Sequence, residues 1–378
     1  MKWFSLARAA AMFPVVVCVL LVGLGGFAPV QQAAAQQTPP LDFSGELAFI
    51  HVADHVNIGF RRTATLGSYQ AGNLILQKLD DYGWQTSEDW HVVNLGDVST
   101  FSDSALQTLQ DWQPFTVDSL LAAGLTRIGA GVPDWQPPQV GQLLVPVRNL
   151  VARFGTPENG VIILGAHYDS RIYSDKDPEE ANRRLPMPGA NDGGSGVGVL
   201  LELARVLSQS YAPNYEIRLV FFDAEDNGRI TPWENARPSQ SQGYIVGSSL
   251  YAQNLMLSSD PVFAMILVDL VGEFDQRFPQ EGYSVTYHPE FTDAIWQVAA
   301  NLGYGEYFPL EQRGAITDDH VPFIERGIPS VNIIDLEYEY WHTSLDTLDK
   351  ISPDSLERVG RVLQAYLEQA GIVTRIAG

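Results

Sequence analysis

Residues 161–167 read VIILGAH, an apolar run that ends in an imidazole. A strand that is apolar at every position is typical of a parallel sheet with helices packed on both of its faces. This run and its neighbours predict an α/β fold, a three-layer α/β/α sandwich around a largely parallel, mixed central sheet. Further strands are predicted on the same grounds at 147–152, 217–222, 264–269 and 330–334. Helices are predicted at 196–208, 249–254, 289–302 and 355–370.

The part of the chain before this core is less regular. Apolar spacing predicts a helix over 68–82 and a strand over 89–93. Residues 96–142 are rich in Asp, Gln, Ser, Pro and Trp, with one helical stretch near 117–123. We interpret them as an insertion that shapes a rim, too short for an independent domain. We therefore expect a single domain over 59–375, preceded by a linker or N-terminal segment over 36–58.

Residues 1–35 have the features of a targeting segment. Lys2 and Arg8 precede an uncharged apolar run over 9–30, and three alanines follow at 33–35. This order predicts a secretory signal peptide with a small-residue cleavage site. The alternative is a retained N-terminal anchor, because the run approaches the ~20 residues that span a bilayer. In both cases we expect an exported protein that is secreted, periplasmic or held at the cell surface.

The charge balance is strongly acidic, with 45 Asp and Glu against 23 Lys and Arg and a formal net charge of −22. Such a surface repels nucleic acid and anionic membranes, and it attracts cationic groups such as peptide N-termini. We therefore expect no nucleic-acid partner, and membrane contact only through an uncleaved N-terminal segment. The only cysteine, Cys18, lies in that segment, so the rest of the chain has no disulfide.

Acidic or imidazole side chains follow several predicted strands at the point where each strand ends. In an open α/β sheet, such residues meet in one crevice although they are far apart in sequence. Two histidines and three carboxylates would supply the nitrogen and oxygen ligands that zinc takes at catalytic sites. Glu225 is left over as an acid/base group. The predicted metal ligands are His167, Asp192, Asp226, Asp269 and His342.

These residues also have interpretations without catalysis. Asp192 lies in a glycine-rich turn before a predicted helix, where aspartate is an ordinary N-cap. Glu225 and Asp226 could form a solvated acidic turn, and the acidic loop at 175–180 could bind calcium. No Gly-x-Ser-x-Gly turn follows a predicted strand, which argues against a serine hydrolase. A non-catalytic peptide-binding module on the same fold is a further alternative, and the complete ligand set argues against it.

With this order of motifs, the chain resembles the zinc-dependent M28 peptidases and the related glutaminyl-peptide cyclotransferases over residues 60–370. For a two-zinc aminopeptidase, the resemblance implies that Asp192 bridges the metals and that Glu225 is the general acid/base. The family usually has Glu at the position of Asp226, so a shorter side chain must reach the metal here. The other ligands would pair as Asp226 with His342 on one zinc and His167 with Asp269 on the other.

The cyclotransferases differ from these peptidases in the number of metal ions. The resemblance implies that a cyclotransferase would bind one zinc. Asp269 and Asp319 would then belong to a hydrogen-bonded network of acids rather than to a second metal site. The ligands of the single zinc would be Asp192, Asp226 and His342.

Two tryptophans bear on the choice between the two reactions. Trp233 and Trp341 resemble the aromatic walls of the cyclotransferase pocket. A tight aromatic pocket that excludes water favours attack by the substrate's own amine over hydrolysis. The leading interpretation is therefore a glutaminyl-peptide cyclotransferase, which converts N-terminal Gln to pyroglutamate with loss of ammonia. The alternative is an aminopeptidase that hydrolyses N-terminal residues, and the partners in both cases are peptide or protein N-termini.

Overall fold

A computed structural model of the chain describes residues 42–122, 141–236 and 242–376. The segment predicted as a signal peptide or anchor, 1–35, lies outside the described residues, as does part of the predicted insertion, 123–140. No helix in the three described ranges has both the length and the apolar composition that crossing a bilayer requires.

The described residues contain a six-stranded mixed sheet and a separate two-stranded ribbon. The strands are β1 (Gln85–Asp97), β2 (Gln142–Phe154), β3 (Val161–His167), β4 (Tyr211–Pro213), β5 (Glu216–Phe222), β6 (Val262–Asp269), β7 (Ser330–Ile334) and β8 (Val373–Arg375). The order in the sheet is β1-β2-β5-β3-β6-β7, and β4 pairs with β8 in the ribbon. Strands β5, β3, β6 and β7 are mutually parallel, whereas β1 and β2 are joined by antiparallel pairs. The predicted largely parallel, mixed sheet is confirmed.

Helices cover both faces of this sheet. They are α1 (Gly45–Val56), α2 (Leu66–Asp81), α3 (Asp103–Trp112), α4 (Val117–Ala122), α5 (Gly194–Ser210), α6 (Val246–Leu255), α7 (Gly282–Tyr287), α8 (Pro289–Asn301), α9 (Val321–Ile324) and α10 (Pro353–Gln369). Buried side chains of α1, α2, α5, α8 and α10 share one hydrophobic cluster with the sheet, and those of α6 and α9 share another. The three-layer sandwich is thereby confirmed.

Strand β3 shows why the central strands are apolar at every position. Ile162 and Leu164 point into the larger cluster, and Val161 and Ile163 point into the smaller one on the opposite face. Successive side chains of a strand alternate between the two faces, so a strand covered on both sides needs an apolar residue at each position.

The N-terminal part of the domain begins earlier than expected. Residues 45–56, predicted to lie in a linker, form helix α1, and its side chains Ala48 and Val52 are fully buried. Gly198 of α5 allows this close approach, because a Cβ atom there would collide with Val52 and with the backbone of Ala48. Of the two alternatives given for 36–58, a linker does not describe 45–56, whose contact with α5 local patterning did not reveal.

The predicted insertion lies between β1 and β2, which are adjacent in the sheet. Helix α4 matches the stretch predicted to be helical, and α3 is an additional helix. Trp112, at the end of α3, packs against Trp233 with ring centroids 5.4 Å apart. The described part of the insertion therefore packs against the rest of the domain through this aromatic contact.

Candidate metal centre

The candidate metal ligands come from loops at one edge of the sheet. His167 is the last residue of β3, and Asp269 is the last residue of β6. Asp226 lies four residues beyond the end of β5, and His342 follows β7 after a longer loop. Because these strands are parallel, their carboxyl ends meet at the same edge. Asp192 reaches that edge from the loop before α5.

The five side chains form two triads that share Asp192. In the first triad, the Nε2 atom of His342 lies 3.0 Å from Asp226 Oδ1 and 3.7 Å from Asp192 Oδ2. In the second triad, the Nε2 atom of His167 lies 3.1 Å from Asp192 Oδ1 and 3.2 Å from Asp269 Oδ1. The two oxygens of Asp192 therefore face different histidines, as a carboxylate bridging two cations would.

The electrostatics of the triads favour a bound cation. Burial, reinforced by the charge of Asp226, raises the pKa of Asp192 well above its usual value. Asp192 Oδ2 and Asp226 Oδ2 are buried and have no hydrogen-bond partner among the described residues. A buried carboxylate oxygen without a partner is costly, and coordination to a metal removes that cost. Two imidazoles and three carboxylates are ligands that zinc accepts, so the residues fit the ion.

The loop that contains Asp192 is held by two charged residues that the sequence analysis did not identify. Asp346 accepts hydrogen bonds from the backbone N–H groups of Asn191 (2.8 Å) and Asp192 (3.1 Å). Arg61, fully buried, donates to the carbonyl oxygens of Pro188 (2.8 Å) and Gly189 (2.6 Å). These contacts fix the backbone of the shared ligand from both sides. The position of Asp346, four residues after the candidate ligand His342, is a sequence signal for it, whereas nothing in the local pattern distinguishes Arg61.

Asp169, two residues after His167, links the ends of β3 and β5. Its Oδ1 atom accepts the backbone N–H of Glu225 at 3.1 Å, and its Oδ2 atom accepts that of Asp226 at 3.3 Å. The same Oδ1 atom lies 3.5 Å from Nδ1 of His167, the ring nitrogen that faces away from the triad. A carboxylate in this position orients a ligating imidazole and fixes its tautomer.

Arg171 orients ligands of the first triad, as Asp169 orients His167 in the second. The buried guanidinium donates from Nη1 to Asp226 Oδ1 at 2.8 Å and from Nε and Nη2 to Asp175 at 2.7 and 2.9 Å. Asp175 in turn lies 3.8 Å from Nδ1 of His342. Burial alone would raise the pKa of Asp226, but His342 and Arg171 lower it to about 2. The shorter aspartate is thus held in its ionised form by a neighbouring cation.

Glu225, the candidate acid/base group, lines a cavity of about 510 Å³ next to the first triad. Burial is the largest effect on its pKa, and the charge of Asp226 adds to it, so that the pKa lies well above its usual value. Asp192, Asp226 and His342 also line this cavity, so a substrate there would meet Glu225 and these ligands together.

The acidic pair after α8 is arranged differently from the prediction. Asp318 lines the cavity, and its oxygens accept hydrogen bonds from Asn332 Nδ2 and from the N–H of Asp319, both at 2.7 Å. Asp319, predicted to share a hydrogen-bonded network of acids with Asp269, is fully buried behind it, and neither of its carboxylate oxygens has a hydrogen-bond partner among the described residues. Burial and the charge of Asp269 raise the pKa of Asp318 to about 6. Asp318 is therefore the acid of the pair that faces the cavity, because the chain turns into α9 directly after Asp318 and Asp319.

The two tryptophans predicted to line the pocket have different positions. Trp341 lines the cavity, with its ring 4.2 Å from that of His342. Trp233 is fully buried in the hydrophobic cluster that also contains Trp112 and Ile230. The pocket role of Trp233 was a wrong expectation, because burial against the insertion removes its ring from the cavity.

Comparisons with known proteins bear on this site. The model of Peptidase family M28 matches residues 149–367. The aminopeptidase YwaD of Bacillus subtilis (strain 168) is 32% identical over 224 residues, 56% of this chain and 41% of that protein. The chain therefore spans less than half the length of this relative.

Two solved structures are similar over almost their whole length. A glutaminyl cyclase of Porphyromonas gingivalis is 31% identical, with a TM-score of 0.68, over 87% of this chain and 99% of that one. A Zn-dependent exopeptidase of Parabacteroides distasonis ATCC 8503 is 29% identical, with a TM-score of 0.67, over 86% of this chain and 98% of that one.

Proposed function

The chain belongs to Peptidase family M28, whose model matches more than half of its length, and we propose that it is a zinc-dependent enzyme acting on peptide N-termini. The reaction that we favour is the cyclisation of N-terminal glutamine to pyroglutamate. The similarity to a glutaminyl cyclase over 99% of that chain supports this reaction. The acidic surface, with a net charge of −22, supports a substrate with a cationic amine.

The reaction requires one bond to form and one to break. The α-amine nitrogen of the substrate bonds to its own side-chain amide carbon, and the bond between that carbon and the amide nitrogen breaks. Glu225 takes a proton from the attacking amine and returns it to the leaving nitrogen, which departs as ammonia. Zinc held by Asp192, Asp226 and His342 would supply a Lewis acid that polarises the reacting carbonyl group.

One observation favours cyclisation over hydrolysis. Asp318 lies in the cavity wall near Asp269 and Glu225, and it belongs to neither metal triad. These carboxyl groups can accept hydrogen bonds from the α-amine of the substrate, which both reactions share, and from departing ammonia, which only the cyclisation releases. Trp341 forms an apolar wall of the same cavity and would limit the access of water.

A second candidate function, aminopeptidase activity, rests on a different observation. The second triad is complete, because His167 Nε2 lies 3.1 Å from Asp192 Oδ1 and 3.2 Å from Asp269 Oδ1. A two-zinc site would be assembled there, and Glu225 would then take the proton of an attacking water. The number of bound zinc ions thus separates the two functions, one for the cyclase and two for the aminopeptidase.

Mass spectrometry of a synthetic peptide that begins Gln-Phe would test the proposal. After incubation with the zinc-loaded protein, we expect loss of ammonia from an otherwise intact peptide. The Glu225→Gln variant should leave the peptide unchanged, because it lacks the group that moves the proton. Release of the first residue, from this peptide or one that begins with Leu, would instead establish the aminopeptidase. An unchanged peptide in every sample would favour a binding module.

A further inference from the structure

Two cationic side chains stand at the opening of the cavity. Lys176 and Arg229 both line it, and both are exposed to solvent, which places them at its mouth rather than at the metal end. The ammonium group of Lys176 lies over the ring of Trp341, 3.0 Å from its centroid. Arg229 donates from Nε to the side chain of Gln242 at 3.2 Å. Both groups are therefore accessible to a peptide that enters the cavity.

Arg171 connects the two loops that position these cations. Its guanidinium donates to Asp175, the neighbour of Lys176, and to the carbonyl oxygen of Gly228, the neighbour of Arg229, at 3.1 Å. One buried side chain therefore joins both loops. Because Arg171 holds these two loops together, Lys176 and Arg229 lie on the same side of the cavity opening.

The charges around Lys176 and Arg229 differ from those around most of the described arginines and lysines. Acidic residues outnumber basic ones by 45 to 23, and many of the described arginines and lysines form an ion pair with a carboxylate. Among the described residues, no carboxylate forms an ion pair with Lys176 or Arg229. Asp175 precedes Lys176 in the chain, and both of its oxygens are engaged by Arg171.

The distance of Lys176 from the candidate metal ligands suits contact with the second residue of a bound substrate. The backbone N–H of Lys176 donates to the carbonyl oxygen of His342 at 3.1 Å, so this lysine starts directly beside a candidate ligand. An extended chain advances about 3.5 Å per residue, and a lysine side chain spans a similar or greater distance. The residue that follows the N-terminal one would therefore lie within reach of Lys176, whose loop Arg171 joins to the loop of Arg229.

We propose that Lys176 and Arg229 bind a carboxylate of the substrate directly after its N-terminal residue, so that the enzyme prefers peptides with an acidic second residue. This inference rests on the proposed action on peptide N-termini and names the class of peptide. Because no carboxylate among the described residues forms an ion pair with them, the ammonium and guanidinium groups would form charge-assisted hydrogen bonds with a carboxylate of the substrate. The free carboxylate of a dipeptide offers the same chemistry from a different source.

Equilibrium binding to the zinc-loaded Glu225→Gln variant tests the preference without turnover. Calorimetry would compare the capped peptides Gln-Glu-Ala-amide and Gln-Gln-Ala-amide, which differ by one charge. We expect the Glu peptide to bind about tenfold more tightly, as an additional charge-assisted contact predicts. Comparison of Gln-Ala with Gln-Ala-amide would show whether a terminal carboxylate can occupy the same position.

Three added substitutions identify the residues responsible. Lys176→Met and Arg229→Gln should each remove most of the difference between the two peptides. Lys350→Met is the matched control, because Lys350 also lies over an aromatic ring, that of Tyr340 at 4.8 Å, but lines a different pocket. It should retain the full preference.

Equal binding of the two capped peptides, or no binding of either, would overturn the inference. A preference that persists in both Lys176→Met and Arg229→Gln would overturn it as well. The outcome is separate from the choice of reaction, because peptide binding precedes both cyclisation and hydrolysis. Release of the first residue by the unmodified enzyme would thus contradict the cyclase and leave the binding comparison intact.

Discussion

Arg171 shows how a single residue can compensate for a shortened ligand. The family usually has Glu where this chain has Asp226, and the aspartate carboxylate must be positioned without the extra methylene group. Arg171 bonds to one oxygen of Asp226 at 2.8 Å and leaves the other without a protein partner. The free oxygen is then available to a metal ion. A fixed cation next to a ligand also keeps the ligand ionised, which zinc coordination requires.

Replacement of Arg171 should therefore weaken zinc binding. We expect Arg171→Gln to lower zinc affinity by about 10- to 100-fold, the range for lost outer contacts of metal ligands. Competition with a fluorescent chelator would measure the zinc affinity of both proteins. Arg205→Gln is a matched control, because it removes another buried ion pair, with Glu202 on α5, outside the metal centre. The same zinc affinity in the Arg171 variant and the unmodified protein would contradict the positioning role.

Among the secondary-structure elements, helix α1 supports the metal centre without contributing a ligand to it. It packs against α5, the helix that follows the loop of Asp192, and thus supports the metal centre from behind. His51 lies on its buried side, with Nε2 3.2 Å from the hydroxyl group of Tyr82 at the end of α2. Burial, with a smaller effect of Lys78, lowers the pKa of His51 to about 4. The packing of α1 is therefore sensitive to acid.

The direction of this sensitivity follows from linkage. Between the ordinary value of 6.5 and about 4, the unfolded chain binds the proton of His51 more readily than the folded protein does. Stability present at neutral pH is therefore lost as the pH falls through this window, by up to about 3 kcal/mol. Urea unfolding from pH 7 to 4 of zinc-free protein should show a smaller loss for His51→Gln. Parallel curves for both proteins would rule out this contribution.

At the scale of the whole molecule, the metal centre joins distant parts of the chain. Its candidate ligands extend from His167 to His342 and follow strands β3, β5 and β6, the loop before α5 and the loop after β7. The unfolded chain does not preserve this arrangement. Zinc bound to the centre would therefore stabilise the folded state alone, and the gain would grow with zinc concentration.

Removal of zinc should consequently lower the thermal unfolding midpoint. At zinc levels about a thousandfold above the dissociation constant, the stabilisation would be about 4 kcal/mol. Differential scanning calorimetry with and without a chelator would measure the change. Asp192→Asn should show little response to the chelator, because both triads lose their shared ligand. A chelator without effect on the unmodified protein would contradict a zinc centre of this kind.

Some features of the site required the folded chain. Trp233 and Trp341 are both aromatic residues near acidic motifs, yet only Trp341 lines the cavity. Asp318 and Asp319 are adjacent and chemically identical, and the turn into α9 directs Asp318 to the cavity and buries Asp319. The difference between the tryptophans comes from packing of Trp233 against the insertion, which is far away in sequence and which local patterns do not encode.

The sequence alone determined the central strands and the order of the candidate ligands, because both depend on local rules. Side-chain alternation makes strands covered on both faces apolar throughout, and parallel strands bring their carboxyl ends to one edge. The tertiary structure decided which neighbours support those ligands. Arg61, Asp346 and the stretch with Asp169 and Arg171 contact the site from three separate segments, and helix α1 reaches it through contact with α5. Such contacts depend on which surfaces meet when the chain folds, and a charged side chain or a short helix gives no local indication of its partner.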